Sequence, residues 1–249
     1  MLASAVCLWS GKEIPIFPGA DEPLLVPQRQ KEAQQAECLS RWEHATRFPQ
    51  GEAVEFLRRT IRRNPGEVVL LGIAPLTNIG LLFRVDPEIP HLLRGLVLMC
   101  GLFTDSVAKT YGPTEWNAAG DPHASAIVYG SRVRMHRSLG LDVTTRVQMD
   151  ADRFRATFRP FRPFAPVLDF AEVWFRQWRG TTFHDPLAAA AVFDESACSF
   201  QRGSVSIDLS ETDSRGKTRW TPDPQTGMHE VGTDVDPDRF FERFIANFS

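Results

Sequence analysis

The feature that most constrains this chain is a change of hydrophobic period near residue 64. Over residues 51–63, Ala53, Phe56, Leu57 and Ile61 fall on one stripe and Arg58, Arg59, Arg62 and Arg63 on the other, the pattern of an amphipathic helix. The breaker Asn64-Pro65-Gly66 ends it. Val68 to Leu71 is then short, continuous and apolar, and Leu96 to Met99 repeats that run after another helical stretch. Such runs suit strands covered on both faces, as in a parallel sheet. A third strand is expected from Val133 to Leu141, after a helix that opens at Asp121-Pro122 and carries Ala124, Ile127 and Val128 on one face. Helix and strand thus alternate from about residue 50 to 142, which predicts an α/β fold with a doubly wound, mostly parallel sheet.

Asp-Pro pairs begin at Asp86, Asp121, Asp185 and Asp236, each before a predicted helix. Asp accepts from the free N–H groups of a first turn, and Pro loses nothing there, so all of them read first as structural punctuation. The apolar opening Met1 to Trp9 lacks a basic flank and leads into Gly11-Lys-Glu-Ile-Pro15 rather than a cleavage site. It reads as a core helix rather than a signal peptide. Between Arg153 and Arg179, aromatic residues interleave with Arg, a composition that can stack on single-stranded nucleic acid. Phe170, Trp174 and Trp178 recur at helical spacing, however, and are expected to pack inward. Ser204 to Leu209 alternates, predicting a short β excursion before a final helix at 237–248.

At 249 residues the chain can bury one sizeable core, and it is read as one domain over 1–249. Its net charge of -3 gives no general attraction to nucleic acid or anionic membrane, and no apolar run is long enough to span a bilayer. Cys7, Cys38, Cys100 and Cys198 lack CxxC spacing, which argues against a zinc knuckle or redox pair and makes reduced, cytoplasmic thiols the expectation. Homo-oligomerisation is left open.

In open parallel sheets ligands bind beyond the carboxyl ends of the strands. The segments placed there are Gly72-Ile-Ala-Pro-Leu-Thr-Asn78, the stretch from Cys100-Gly101 through Glu115-Trp-Asn117, and Leu139-Gly-Leu-Asp-Val-Thr144. Thr182-Phe-His-Asp-Pro186, at a helix start, is a further candidate. Taken singly, these residues have ordinary explanations. Asp185 reads as a helix cap, His184 as an interior histidine, and Glu115 and Asn117 as loop residues near Pro113. Asp121 and Asp142 read as structural, one capping a helix and the other ending a strand. No GxGxxG follows any predicted strand, which argues against a dinucleotide binder.

In order, Ala74-Pro-Leu-Thr-Asn78, Leu98-Met-Cys-Gly101, Glu115-Trp-Asn117 with Asp121-Pro122, Gly140-Leu-Asp-Val-Thr144 and His184-Asp-Pro186 resemble the inosine/uridine-preferring nucleoside hydrolases. That family shows GPLTN, VMGG, EFN or EWN followed by DP, GLDVT and HDP. Ile14-Pro-Ile-Phe-Pro-Gly19 is similar to its IPVYAG segment, and Val235-Asp-Pro-Asp-Arg-Phe-Phe241 to its close. The resemblance implies hydrolysis of a ribonucleoside to free base and ribose by a calcium-bound water. It assigns the Asp185 carboxylate and the Ile73 backbone carbonyl to the calcium, Glu115 and Asn117 to ribose hydroxyls, and His184 to protonation of the departing base.

Three positions depart from the family pattern: Lys109 stands where a ribose-binding Asn is common, Cys100 replaces a Gly, and Thr145 a His. The family's opening strand and DTDPGxDD-like loop, source of the general base and further calcium ligands, has no counterpart here; the only Asp before residue 86 is Asp21. The resemblance therefore implies a sheet missing its first strand, an incomplete calcium site, impaired hydrolysis and a start upstream of Met1. A noncatalytic protein that binds nucleoside or ribose is the alternative expectation.

Overall fold

The computed structural model describes residues 1–248. Leu96 and Leu98 pack into one apolar cluster, Val97 and Met99 into another, and all of them are at most 3% exposed. This strand therefore has no wet face, which explains its unbroken apolar run.

The strands are β1 (Val69–Gly72), β2 (Gly95–Leu98), β3 (His136–Ser138), β4 (Gln148–Asp150), β5 (Gly180–Thr182), β6 (Cys198–Ile207), β7 (Thr218–Pro222) and β8 (His229–Val235). Six form one sheet in the order β1-β2-β3-β8-β6-β7, while β4 and β5 form a separate antiparallel pair. Strands β1, β2, β3 and β8 run parallel; β6 pairs antiparallel with both β8 and β7. The doubly wound, mostly parallel sheet is as expected, with β1 as its outer strand on one side.

One face is covered by the helices Ala53–Arg63, Thr77–Val85 and Pro122–Tyr129, which bring Ile61, Leu82, Phe83 and Val128 onto Leu70, Leu96 and Leu98. The other is covered by Ala151–Phe158, His184–Phe193 and Pro237–Ala246, through Phe158, Leu187, Phe240 and Phe241. The arginine stripe of Ala53–Arg63 does more than meet solvent. Arg62 grips the buried Asp86 with two contacts of 2.6 Å, and Arg58 pairs with Glu55 at 2.7 Å.

Several local expectations need correction. The third strand covers only His136–Ser138, and Leu141–Thr144 is a helical turn, so Asp142 does not end a strand. Its carboxylate instead accepts from the N–H groups of Phe103 and Thr104. Leu2–Trp9 is helical, but it buries only Ser4 and Ala5, against the segments Gln34–Arg41 and Ala165–Phe175. It packs into a small satellite core formed with those segments rather than onto the sheet. Phe170 packs inward, whereas Trp174 and Trp178 stack on each other with their rings 5.6 Å apart and remain half-exposed. The β excursion is longer than alternation predicted, because β6 begins at Cys198 and joins the main sheet.

One buried carboxylate ties the layers together. Asp121 is fully buried and accepts from Thr77 Oγ1 and the Leu24 N–H, both at 2.8 Å, and from the Ala124 N–H at 2.9 Å. It thereby ties the irregular N-terminal stretch, the helix after β1 and the helix before β3 to one carboxylate. Asn78 adds a second tie to that stretch by accepting the Ala20 N–H at 2.9 Å. On β3, His136 stacks on Tyr129 and meets His229 edge-on, and neither ring nitrogen has a partner among the described residues.

Replacing Asp121 by Ala strands three donors, two of them buried, and removes a helix cap, so D121A should lower unfolding free energy by about 3 kcal/mol or more, measured by urea denaturation. A loss below about 1 kcal/mol would count against this carboxylate as the tie. Burial holds the His136 pKa well below its ordinary value, so the unfolded chain takes up its proton first as the solution is acidified. Its contribution to stability is intact above about pH 6.5 and declines as pH falls further. H136F should flatten the fall in melting temperature between pH 7.5 and 5.5; an unchanged slope would exclude His136 as a source.

Candidate active site

Parallel strands deliver their carboxyl ends to one edge, so the segments after β1, β2 and β3 meet there. Gly101 adopts φ +101°, a conformation side chains disfavour. A Cβ on Gly140 would come within 2.6 Å of the Gly101 carbonyl oxygen. Glycine at both positions lets the ends of β2 and β3 touch. The helix His184–Phe193 packs against β1 and β2 and brings its first turn to the same edge.

Glu115 and Asn117 are sewn to the end of β2. Oε2 of Glu115 accepts from the N–H groups of Gly101 at 3.0 Å and Ala118 at 2.9 Å, and Oε1 from Asn117 at 2.7 Å. The side chain is thus the N-cap of the helix Trp116–Gly120 and only 3% exposed. Burial pushes its pKa up, and the three backbone donors act in the opposite direction. Asn117 donates from Nδ2 to the Met99 carbonyl at 2.9 Å, and its Oδ1 accepts no hydrogen bond among the described residues.

His184 is half-buried, with Nδ1 2.7 Å from Thr144 Oγ1. Burial lowers its pKa, so it is less prone to carry charge than an exposed histidine. Asp185 does not cap the helix, unlike Asp121 and Asp236, which accept from N–H groups three residues on. The N-cap position is Phe183, and the half-buried Asp185 carboxylate has neither hydrogen bond nor ion pair among the described residues. Burial without a partner pushes its pKa up to about 6.

Ile73, Glu115, Asn117, His184 and Asp185 all line one cavity of about 460 Å³. Tyr111 and Thr182, from the candidate segments, line it too, as does Arg29, to which no sequence pattern pointed. Arg29 comes from the irregular N-terminal stretch, and no local pattern connects it with this edge. A second cavity of about 440 Å³ shares Thr182, His184 and Pro186 with the first and continues among Phe154, Phe164, Phe170, Trp174 and Phe175. His184 therefore stands between a polar cleft and an aromatic one. Lys109, Cys100 and Thr145 do not line the polar cleft.

Ile73 is 41% exposed, and its carbonyl receives no hydrogen bond among the described residues. With Asp185 it offers two kinds of oxygen to a cation. Calcium takes roughly six to eight oxygens, and no group of three or more His, Cys, Asp or Glu disposed to hold a metal ion exists among the described residues. The residues present do not make a complete calcium site.

Comparison with known proteins bears on the family and the fold. A stretch of 146 residues is 33% identical to the pyrimidine-specific ribonucleoside hydrolase RihA of Citrobacter koseri, covering 55% of this chain and 46% of that protein. Uridine nucleosidase 1 of Arabidopsis thaliana is 25% identical over 163 residues, covering 63% and 48%. The match thus spans about half the length of these curated relatives. The fold superposes on the purine-preferring ribonucleoside hydrolase from Gardnerella vaginalis with a TM-score of 0.83 and 21% identity, over 99% of this chain and 83% of that one. The family model for inosine-uridine preferring nucleoside hydrolases matches residues 2–242. This chain belongs to that family.

Proposed function

We propose that the cleft takes a ribonucleoside and that its residues serve hydrolysis of the N-glycosidic bond to free base and ribose. The observation that carries this reading is the convergence of Ile73, Glu115, Asn117, His184 and Asp185, from separate segments, on one cavity. Oε1 of Glu115, which receives one donor, and Oδ1 of Asn117 retain lone pairs for sugar hydroxyls. The aromatic cavity beyond His184 offers a flat, apolar wall to a base. Cleavage leaves negative charge on the departing base, and an imidazole N–H between the two cavities can donate to it as that charge develops.

No step is derived through calcium, because the described residues supply only the Asp185 carboxylate and the Ile73 carbonyl. Turnover by this chain alone is accordingly expected to be slow, and nucleoside binding is the property its own residues carry. That favours a second reading, binding of nucleoside or ribose without turnover. The four cysteines are unpaired, which suits a reducing, cytoplasmic setting. Among the described residues no helix is long and apolar enough to cross a membrane.

Calorimetry with uridine, inosine and ribose, alongside an assay for released base, separates these readings. Uridine or inosine should bind, and N117A should weaken binding about tenfold, the worth of one well-placed hydrogen bond. Base release that is lost in H184A supports hydrolysis. Binding without release supports the second reading, and no binding of any of the three overturns both.

Asp185 provides a further test in metal-free buffer. Folding raises its pKa to about 6, so the native state holds the proton more tightly than the unfolded chain, whose carboxyl titrates near about 4. Stability from this group is therefore lost as pH rises from about 4 through 6. D185N should gain about 1–2 kcal/mol at pH 7.5, after allowing for solvent screening, and nothing near pH 4. An equal gain at both pH values would rule out burial of charge as the cause.

A further inference from the structure

We propose that Thr144 is a positioning residue that holds His184 in the tautomer with its proton on Nε2. The proposal rests on the reading of this cleft as a nucleoside site, but its chemistry is local. Thr144 is fully buried, and its Oγ1 lies 2.7 Å from Nδ1 of His184, forty residues away in sequence. The neighbouring Thr145 satisfies its hydroxyl by donating back to the Leu141 carbonyl at 2.7 Å. Thr144 has no such bond, and Nδ1 of His184 is the only partner its hydroxyl has among the described residues.

A hydroxyl has one proton to donate, and a buried O–H without an acceptor is costly. The Thr144 proton therefore goes to Nδ1, which must accept. A neutral imidazole that accepts at Nδ1 carries its own proton on Nε2. The ring then presents an N–H donor, not a lone pair, at its other nitrogen. A departing base needs a donor there, and the opposite tautomer would present a lone pair to developing negative charge.

The support for Thr144 is rigid. Gly140 is packed against the Gly101 carbonyl, Asp142 is bonded to the N–H groups of Phe103 and Thr104, and Val143 is fully buried. The turn Leu141–Thr144 therefore cannot follow a rotating imidazole. Asp185, Glu115 and Arg29 are the charged groups that line the cleft with His184, and none of them hydrogen-bonds the ring.

Nitrogen-15 NMR of the imidazoles at pH 8, with the His184 signals assigned by their loss in H184Q, reads the tautomer directly. The full chain should show Nε2–H in roughly tenfold or greater excess over Nδ1–H, the bias one hydrogen bond supplies. T144V, which keeps shape and removes the donor, should lower that excess several-fold, and T144S should restore it. A urea midpoint for each variant establishes that the fold is kept. Nδ1–H as the major form in the unsubstituted chain overturns the proposal, as does a ratio that T144V leaves unchanged. Failure of nucleoside binding with the Nε2–H tautomer intact would overturn the function proposed for the cleft and leave this assignment standing.

Discussion

Parallel strands in one sheet all end at the same edge, and most of what this protein places in its cleft follows from that constraint. Strands β1, β2 and β3 finish within reach of one another, and each is followed by residues that have left the ladder and are free to meet a ligand. The same constraint demands burial on both faces, because the crossover connections put helices there. Leu96, Val97 and Leu98, all fully buried, are its imprint in the sequence.

Polar groups at that edge serve structure before they serve a ligand. Glu115 spends three acceptor positions on backbone N–H groups and so clamps the segment after β2 against the strand end. Asp121 does the corresponding work one layer back, joining the N-terminal stretch to two helices. A carboxylate held by three backbone donors is rigid. The sugar contacts proposed for this edge need such rigidity, since small displacements cost geometry at the reacting bond.

Asp185 is the exception among these carboxylates. It stands in the first turn of its helix, half-buried and without a partner, and it keeps a pKa near 6 because burial penalises the charge. His184 beside it is held by Thr144 and borders the aromatic cavity. The two adjacent side chains thus belong to different environments, one half-buried without a partner and the other standing between polar and aromatic walls.

The α/β class, the doubly wound sheet, the amphipathic helix over 53–63 and the family were legible in the amino-acid sequence. Each depends on local periodicity or on short motifs kept in order. So was the meeting of Ile73, Glu115, Asn117, His184 and Asp185 at one cavity, through the resemblance. Which Asp-Pro pairs cap a helix (Asp121 and Asp236) and which do not (Asp86 and Asp185), the helical turn at Leu141–Thr144, the exposure of Trp174 and Trp178, the presence of Arg29 and the bond from Thr144 to His184 were decided only by tertiary structure. The physical reason is range. Caps, tautomers and cavity walls are set by partners tens of residues away in the chain, and neither hydrophobic period nor turn chemistry carries information across that distance.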